Sequence, residues 1–368
     1  MFDTQLLSNK LRVVAEKVTN NKRITPEEGL LLYEEAELGL LSALANVVRE
    51  RKHGNRTYFN KNIHIEPTNI CVYKCKFCSY SRRPHQEGAW EYSIDEMLIT
   101  ARKYKNSDIT EIHIVGGVHP DRDLDYYCNL ISAVKKELPT VHIKAFTAIE
   151  LDYMIRKAGL SLKDGLLRLK ESGLDSIPGG GAEIFDPEVR RKVCSEKSTA
   201  ELWLNVHETA HSLNIPSNAT ILYGHIEKYS HRVDHLEKLR SLQDRTNGFN
   251  AFIPLKYRNK NNELSYIEEA STIEDLRNYA ISRIYLDNIP HIKSYWIAVG
   301  KEIAQLSLDF GVDDIDGTID DSTKIYTMAG TQTSNQSMTT GDMIKLIKDV
   351  NRLPIERDSV YNEIKIYK

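Results

Sequence analysis

Cysteine is scarce in this chain of 368 residues, with five in all. That number is too small for a disulfide framework and suits a reducing compartment, where grouped thiols point to metal binding or catalysis. Long apolar runs are missing too, and none reaches the length needed to cross a bilayer. Neither sign of charge dominates: 49 Lys and Arg stand against 52 Asp and Glu, a formal net charge of -3. Nucleic acid and anionic membrane are therefore not expected as partners. The first residues, "MFDTQLLSNKLRVV", hold no basic segment followed by an apolar stretch. A secretion signal is not expected, and the expected location is cytoplasmic. There is no repeat of fixed period and no long low-complexity linker. What is present is 41% hydrophobic residues, enough for a sizeable core.

The first sixty residues read as helices. Thr25, Pro26 and Glu28 have the types of an N-cap, a first helical position and a capping box. From residue 62 short β-rich runs alternate with amphipathic ones. Strands are expected at 63–67, 111–115, 141–146, 174–178, 217–222, 249–254, 293–298 and 312–316. Helices are expected at 93–106, 123–138, 161–172, 198–213, 230–246, 273–287 and 299–310. Eight β/α alternations over about 250 residues predict a (β/α)8 barrel of the TIM type. An open doubly wound sheet is the alternative. The expected organisation is an N-terminal helical extension (1–60), the barrel (61–316) and a C-terminal extension (317–368). That extension has a polar start and a helix at 340–350.

Several strands alternate where buried parallel strands are usually apolar throughout. Ile63 and Ile65 flank His64, Ile112 and Ile114 flank His113, and His142 and Lys144 interleave with Val141, Ile143 and Ala145. If the apolar set faces the outer helices, the polar set faces into the barrel and encloses a polar ligand. Satisfied core histidines are the ordinary alternative for each.

Three of the five cysteines lie in "TNICVYKCKFCSY" (68–80), at spacing C-x3-C-x2-C. Thiolates select zinc or iron–sulfur clusters. A closed zinc site needs a fourth ligand, which His64 or His85 would supply. A [4Fe–4S] cluster on Cys71, Cys75 and Cys78 would keep one iron open for a small chelating molecule. The amine and carboxylate of S-adenosylmethionine form such a chelating pair. Cys128 and Cys194 are isolated, and Cys128 reads as a buried inert thiol.

The spacing C-x3-C-x-aromatic-C, with Phe77 as the aromatic, at the end of a first barrel strand resembles the radical S-adenosylmethionine superfamily. The blocks "HIVGGVHP", "KAFTAIE", "SIPGGGAEIF", "NATILYGHIE", "DRTNGFNAFIPL" and "RLPIERDSVYN" resemble its menaquinone and deazaflavin-cofactor branch, most of all the aminofutalosine (aminodeoxyfutalosine) synthase family. The resemblance spans about 58–362. It implies a [4Fe–4S] cluster and consumption of S-adenosylmethionine as co-substrate. The implied reaction adds the 5′-deoxyadenosyl radical to 3-[(1-carboxyvinyl)oxy]benzoate, with aryl migration and decarboxylation. It also implies a reducing partner such as flavodoxin or ferredoxin.

Carried onto this sequence, the resemblance expects Gly116 and Gly117 to receive the methionine amino group and Glu183 the ribose hydroxyls. Phe77, Tyr80, Arg191 and Ile253 are the further expected cofactor contacts. The substrate carries two carboxylates, so cationic donors are sought near the loop and at strand ends. Arg82 is the first candidate, followed by Lys144, His225, Lys256 and Arg191. Cyclic dehypoxanthine futalosine synthase and deazaflavin-cofactor synthase are the sister readings. An iron–sulfur electron carrier or a zinc-stabilised binding protein is the alternative of another class.

Overall fold

The computed structural model describes residues 7–317, 324–331 and 337–368. Parts of the polar stretch expected at the start of the C-terminal extension lie outside them. The first barrel strand is split into β1 (Arg56–Asn60) and β2 (Asn62–Ile65). It is followed by β3 (Glu111–Ile114), β4 (His142–Ala145), β5 (Ser217–Tyr223), β6 (Phe249–Lys256), β7 (His291–Ile292) and β8 (Asp314–Gly317).

Parallel pairing runs β2–β3–β4 and β5–β6–β7. The fourth barrel position is held only by the bridges Lys144↔Ser176 and Ile177↔Ser217. Lys293 bridges to Asp314, and β8 returns to β1 through Tyr58↔Asp314. The ring of eight therefore closes in one direction throughout. That is the expected barrel, and an open sheet is ruled out.

Inward and outward faces follow the alternation. Ile63, Ile65, Ile112, Ile114 and Ile143 belong to the apolar core, while His64, His113 and Lys144 line the central cavity. These three stand in one layer, because His64 pairs in register with His113 and His113 with Lys144. The Thr25–Glu28 capping box forms as expected at the start of the helix Pro26–Glu35.

Three expectations are corrected. The run 293–298 is not a strand: β7 ends at Ile292, and Trp296–Val299 is a helical turn. Its aromatic residues favour strand on propensity, but Trp296 is buried and its indole N–H donates to Gly317 O at 2.9 Å. Two helices were not expected, Ala148–Lys157 and Pro187–Cys194. The first hides its period because seven of its ten residues are buried, Glu150 and Asp152 among them. Third, the C-terminal residues form β9 (Leu353–Arg357), parallel to β1, and β10 (Glu363–Ile366), antiparallel to β9. The helix expected at 340–350 is present as Thr340–Lys348.

Candidate active site

The cysteine loop leaves the top of β2 and is fastened along its length. Arg82 N donates to Asn69 O (2.8 Å) and Cys71 N to Arg82 O (2.9 Å), so the loop folds back on itself. Val72 N donates to Val118 O (2.9 Å) and Gly117 N to Thr68 O (2.7 Å), which ties it to the turn after β3. Lys76 N donates to Val193 O (2.8 Å) in the helix Pro187–Cys194. A Cβ on Gly117 would stand 2.3 Å from Ile70 O, and one on Gly116 2.8 Å from Thr68 O. Only glycine allows this approach of two backbones.

Cys71, Cys75 and Cys78 are free, partly exposed, and all face one cavity of about 340 Å³ inside the barrel mouth. Burial pushes the Cys71 and Cys75 thiols up, Cys78 adds to both shifts, and Lys197 pulls Cys75 back down. Three grouped, partly exposed thiols that repel one another as thiolates suit a strongly cationic group such as a metal cluster, which inverts the local preference. The donor set therefore fits a [4Fe–4S] cluster on three thiolates. The rest of the cavity provides room and backbone groups for a chelating ligand.

Phe77, Tyr80, Gly116, Gly117, Lys144, Glu183 and Ile253 line this cavity with the cysteines, as expected. Glu183 has a positive φ of 48° and is pinned by Leu222 N, which donates to its carbonyl at 2.8 Å. Its carboxylate is paired with Lys197 at 2.5 Å. Non-glycine residues hold such a backbone only where their surroundings enforce it, often at functional sites.

Other expected residues are not brought there. Arg82 donates to Ser79 O (3.0 Å) and Ser81 O (2.9 Å) and lines a second recess, which Cys71, Cys75 and Cys78 also line, and not the main cavity. Its backbone pairing with Asn69 and Cys71 decides this, by turning the side chain along the loop's own carbonyls. Arg191 is exposed on the helix Pro187–Cys194. His225 sits between Leu222 O and Glu227, away from the cavity lining. Lys256 reaches the lining, but its ammonium turns to Asp275 (2.8 Å) in the helix Thr272–Tyr285.

Several lining residues were not singled out as site residues. Lys197 lies 5.5 Å from the Phe77 ring centre and pairs with Glu183. Nothing in its spacing marks it. At the inner end Lys144 pairs with Glu111 (2.6 Å) and Lys293 with Asp316 (2.8 Å). The alternating strand pattern carries the signal for Glu111. His64 and His113 meet edge to face at 4.7 Å. Burial, then His64, holds His113 well below its usual range, so it is neutral.

Thiol donors for a cluster with an open iron, at the strand-end mouth of a closed parallel barrel, make this a radical S-adenosylmethionine enzyme. Known proteins agree. A family model described as "Radical SAM superfamily" matches residues 65–239, and "CofH/MqnC C-terminal region" matches 246–367. The chain is 46% identical to an aminodeoxyfutalosine synthase of Thermus thermophilus, over 97% of each chain. It is 38% identical to one of Streptomyces coelicolor, over 97% of this chain and 94% of that one. It is 35% identical to a cyclic dehypoxanthine futalosine synthase of Streptomyces coelicolor, over 97% of this chain and 90% of that one. The crystal structure of methylornithine synthase superposes with TM-score 0.73 at 17% identity, covering 92% of this chain and 96% of that one, and shows the shared fold. The chain belongs to the radical SAM superfamily and, within it, to the family of the aminodeoxyfutalosine synthases. No described helix is long and apolar enough to cross a membrane.

Proposed function

We propose that this enzyme makes 6-amino-6-deoxyfutalosine from S-adenosylmethionine and 3-[(1-carboxyvinyl)oxy]benzoate, in the cytoplasm, with a flavodoxin or ferredoxin as electron source. The observation that carries the reading is the 46% identity over nearly the full length; a cavity with thiols at its mouth and lysines at its inner end is consistent with it. Cys71, Cys75 and Cys78 would hold the cluster, which would supply the electron for cleavage of S-adenosylmethionine.

The chain's own residues then divide the work. The turn Gly116–Gly117 offers backbone groups to the methionine end. Glu183, held by Lys197, faces the ribose. Lys144 and Lys293 receive the benzoate carboxylate at the inner end, each exchanging part of its bond to Glu111 or Asp316 for the ligand. The substrate is thereby stretched between the lysines and the cluster, with its vinyl carbon toward C5′. Such a reaction needs contact of about 3–3.5 Å between the carbons that join. The test is anaerobic turnover of reduced, reconstituted enzyme with both substrates. One methionine should be released per nucleoside–benzoate adduct, and methionine without adduct would refute the proposal.

A further inference from the structure

The helix Ala148–Lys157 starts at the centre of the site. Thr147, its N-cap, and Ile149 line the cavity. Both glycine-rich turns meet it. A Cβ on Gly180 would stand 2.8 Å from Thr147 Cγ2, and one on Gly181 2.5 Å from Ile149 Cγ1. On the other side Gly116 N donates to Glu150 Oε1 at 3.1 Å. The second oxygen, Oε2, accepts from Thr147 N and Thr147 Oγ1, both at 2.8 Å. Glu150 is 3% exposed. An N-cap alone does not call for so deep a burial of a carboxylate. The extra bond goes to the turn after β3.

We propose that Glu150 is a positioning residue for S-adenosylmethionine: by accepting the Gly116 N–H it fixes the Val115–Gly116 peptide plane, from which the Gly116–Gly117 turn runs toward the methionine amino group. This rests on the reading of that turn as the seat of the methionine end. Three donors converge on the two carboxylate oxygens, which suits the ionised form, since a protonated oxygen becomes a donor and loses one of them. Burial opposes ionisation and raises the group to about 7, while Thr147 and Gly116 pull it down. The titratable groups facing it are Lys197, Tyr80 of the cysteine loop and Tyr127 of the helix Leu124–Glu137. The two tyrosines stay neutral across the range of interest, because burial pushes both up. Glu150 is therefore the group among them that changes charge near neutrality, and a proton on Oε1 removes its bond to Gly116.

The test is equilibrium binding of S-adenosylmethionine to the reconstituted holoenzyme, read from the change it makes in the EPR spectrum of the reduced cluster, at pH 6, 7 and 8. Wild type should bind more tightly as pH rises through about 7. Glu150→Gln should bind about tenfold to a hundredfold more weakly, the loss of a hydrogen bond to a charged group, with no dependence on pH. Glu150→Asp keeps a charged cap for the helix but is too short to reach Gly116, so it should keep its melting temperature and iron content and still bind weakly. Wild-type affinity and pH dependence in Glu150→Asp, or in a folded Glu150→Gln, would overturn the proposal. Failure of wild type to perturb the cluster spectrum at any pH would instead overturn the reading of the site.

Discussion

The two ends of the barrel are built from similar residue types and are opposite in character. At the C-terminal ends of the strands the thiols are partly exposed, the turns are glycine-rich, and the lysines face a cavity. At the N-terminal ends of β7 and β8 the charges are buried and paired. Asp313 binds Arg283, and His291 Nδ1 lies 2.5 Å from it; His53 is 3.4 Å away. Arg357, delivered by β9, bonds Asp314 at 2.7 Å and lies over the Tyr361 ring, which stacks on His291 at 3.5 Å. His53, His291 and Asp313 are close enough together to hold a metal ion. However, the Arg283 guanidinium already neutralises the only carboxylate, so the trio reads as a plug. The difference teaches that a cluster of polar side chains in a barrel is not by itself a site. Charges are paired at both ends; what separates them is whether the paired groups still face a cavity.

The contrast breaks most sharply at the thiols. Replacing Cys71, Cys75 or Cys78 by Ala should abolish cluster-dependent cleavage of S-adenosylmethionine, with iron content falling in step. Cys128→Ala, on the buried face of the helix Leu124–Glu137, should leave iron unchanged.

At the closed end the expected loss is of stability. Asp313→Ala leaves Arg283 buried and unpaired and should cost about 3–5 kcal/mol in denaturant unfolding, while the folded fraction keeps its cluster spectrum. The same end predicts the acid response. Burial lowers His53 to about 4, against the pull of Asp313. The folded protein refuses a proton that the unfolded chain accepts, so this contribution is intact above pH 6.5 and is lost as pH falls toward 4. Asp313 is held below its usual range, by His53 and Arg283 against desolvation, and its contribution disappears at lower pH still. A melting temperature flat from pH 7 to 4 would contradict this.

A smaller effect is expected at the inner end of the cavity. Lys293→Met should raise KM for the benzoate substrate by roughly thirtyfold, about 2 kcal/mol for truncating one member of a buried charge pair. Cleavage of S-adenosylmethionine without substrate should change little. An unchanged KM would return Lys293 to a purely structural pairing with Asp316.

Much of the open end is legible in the sequence because its signals are local. Cysteine spacing, strand alternation and glycines after strands each fall within a few residues. Arg82 shows the limit of that logic: adjacency to Cys78 along the chain is not a place in the cavity lining, because its side chain turns to the carbonyls of Ser79 and Ser81. The helix Ala148–Lys157 was missed although Thr147 and Glu150 spell a capping box. Burial on nearly every face erased the period that marks a surface helix. Lys197 and β9 had no local mark at all. One acts through Glu183, and the other pairs with a strand at the opposite end of the chain.

The central claim is that C5′ of S-adenosylmethionine becomes bonded to the vinyl carbon of the substrate, and labelling tests it most directly. S-adenosylmethionine carrying carbon-13 at C5′, supplied with 3-[(1-carboxyvinyl)oxy]benzoate to the reduced enzyme, should pass its label into a nucleoside–benzoate adduct seen by mass spectrometry. Label recovered only in free 5′-deoxyadenosine would contradict the claim.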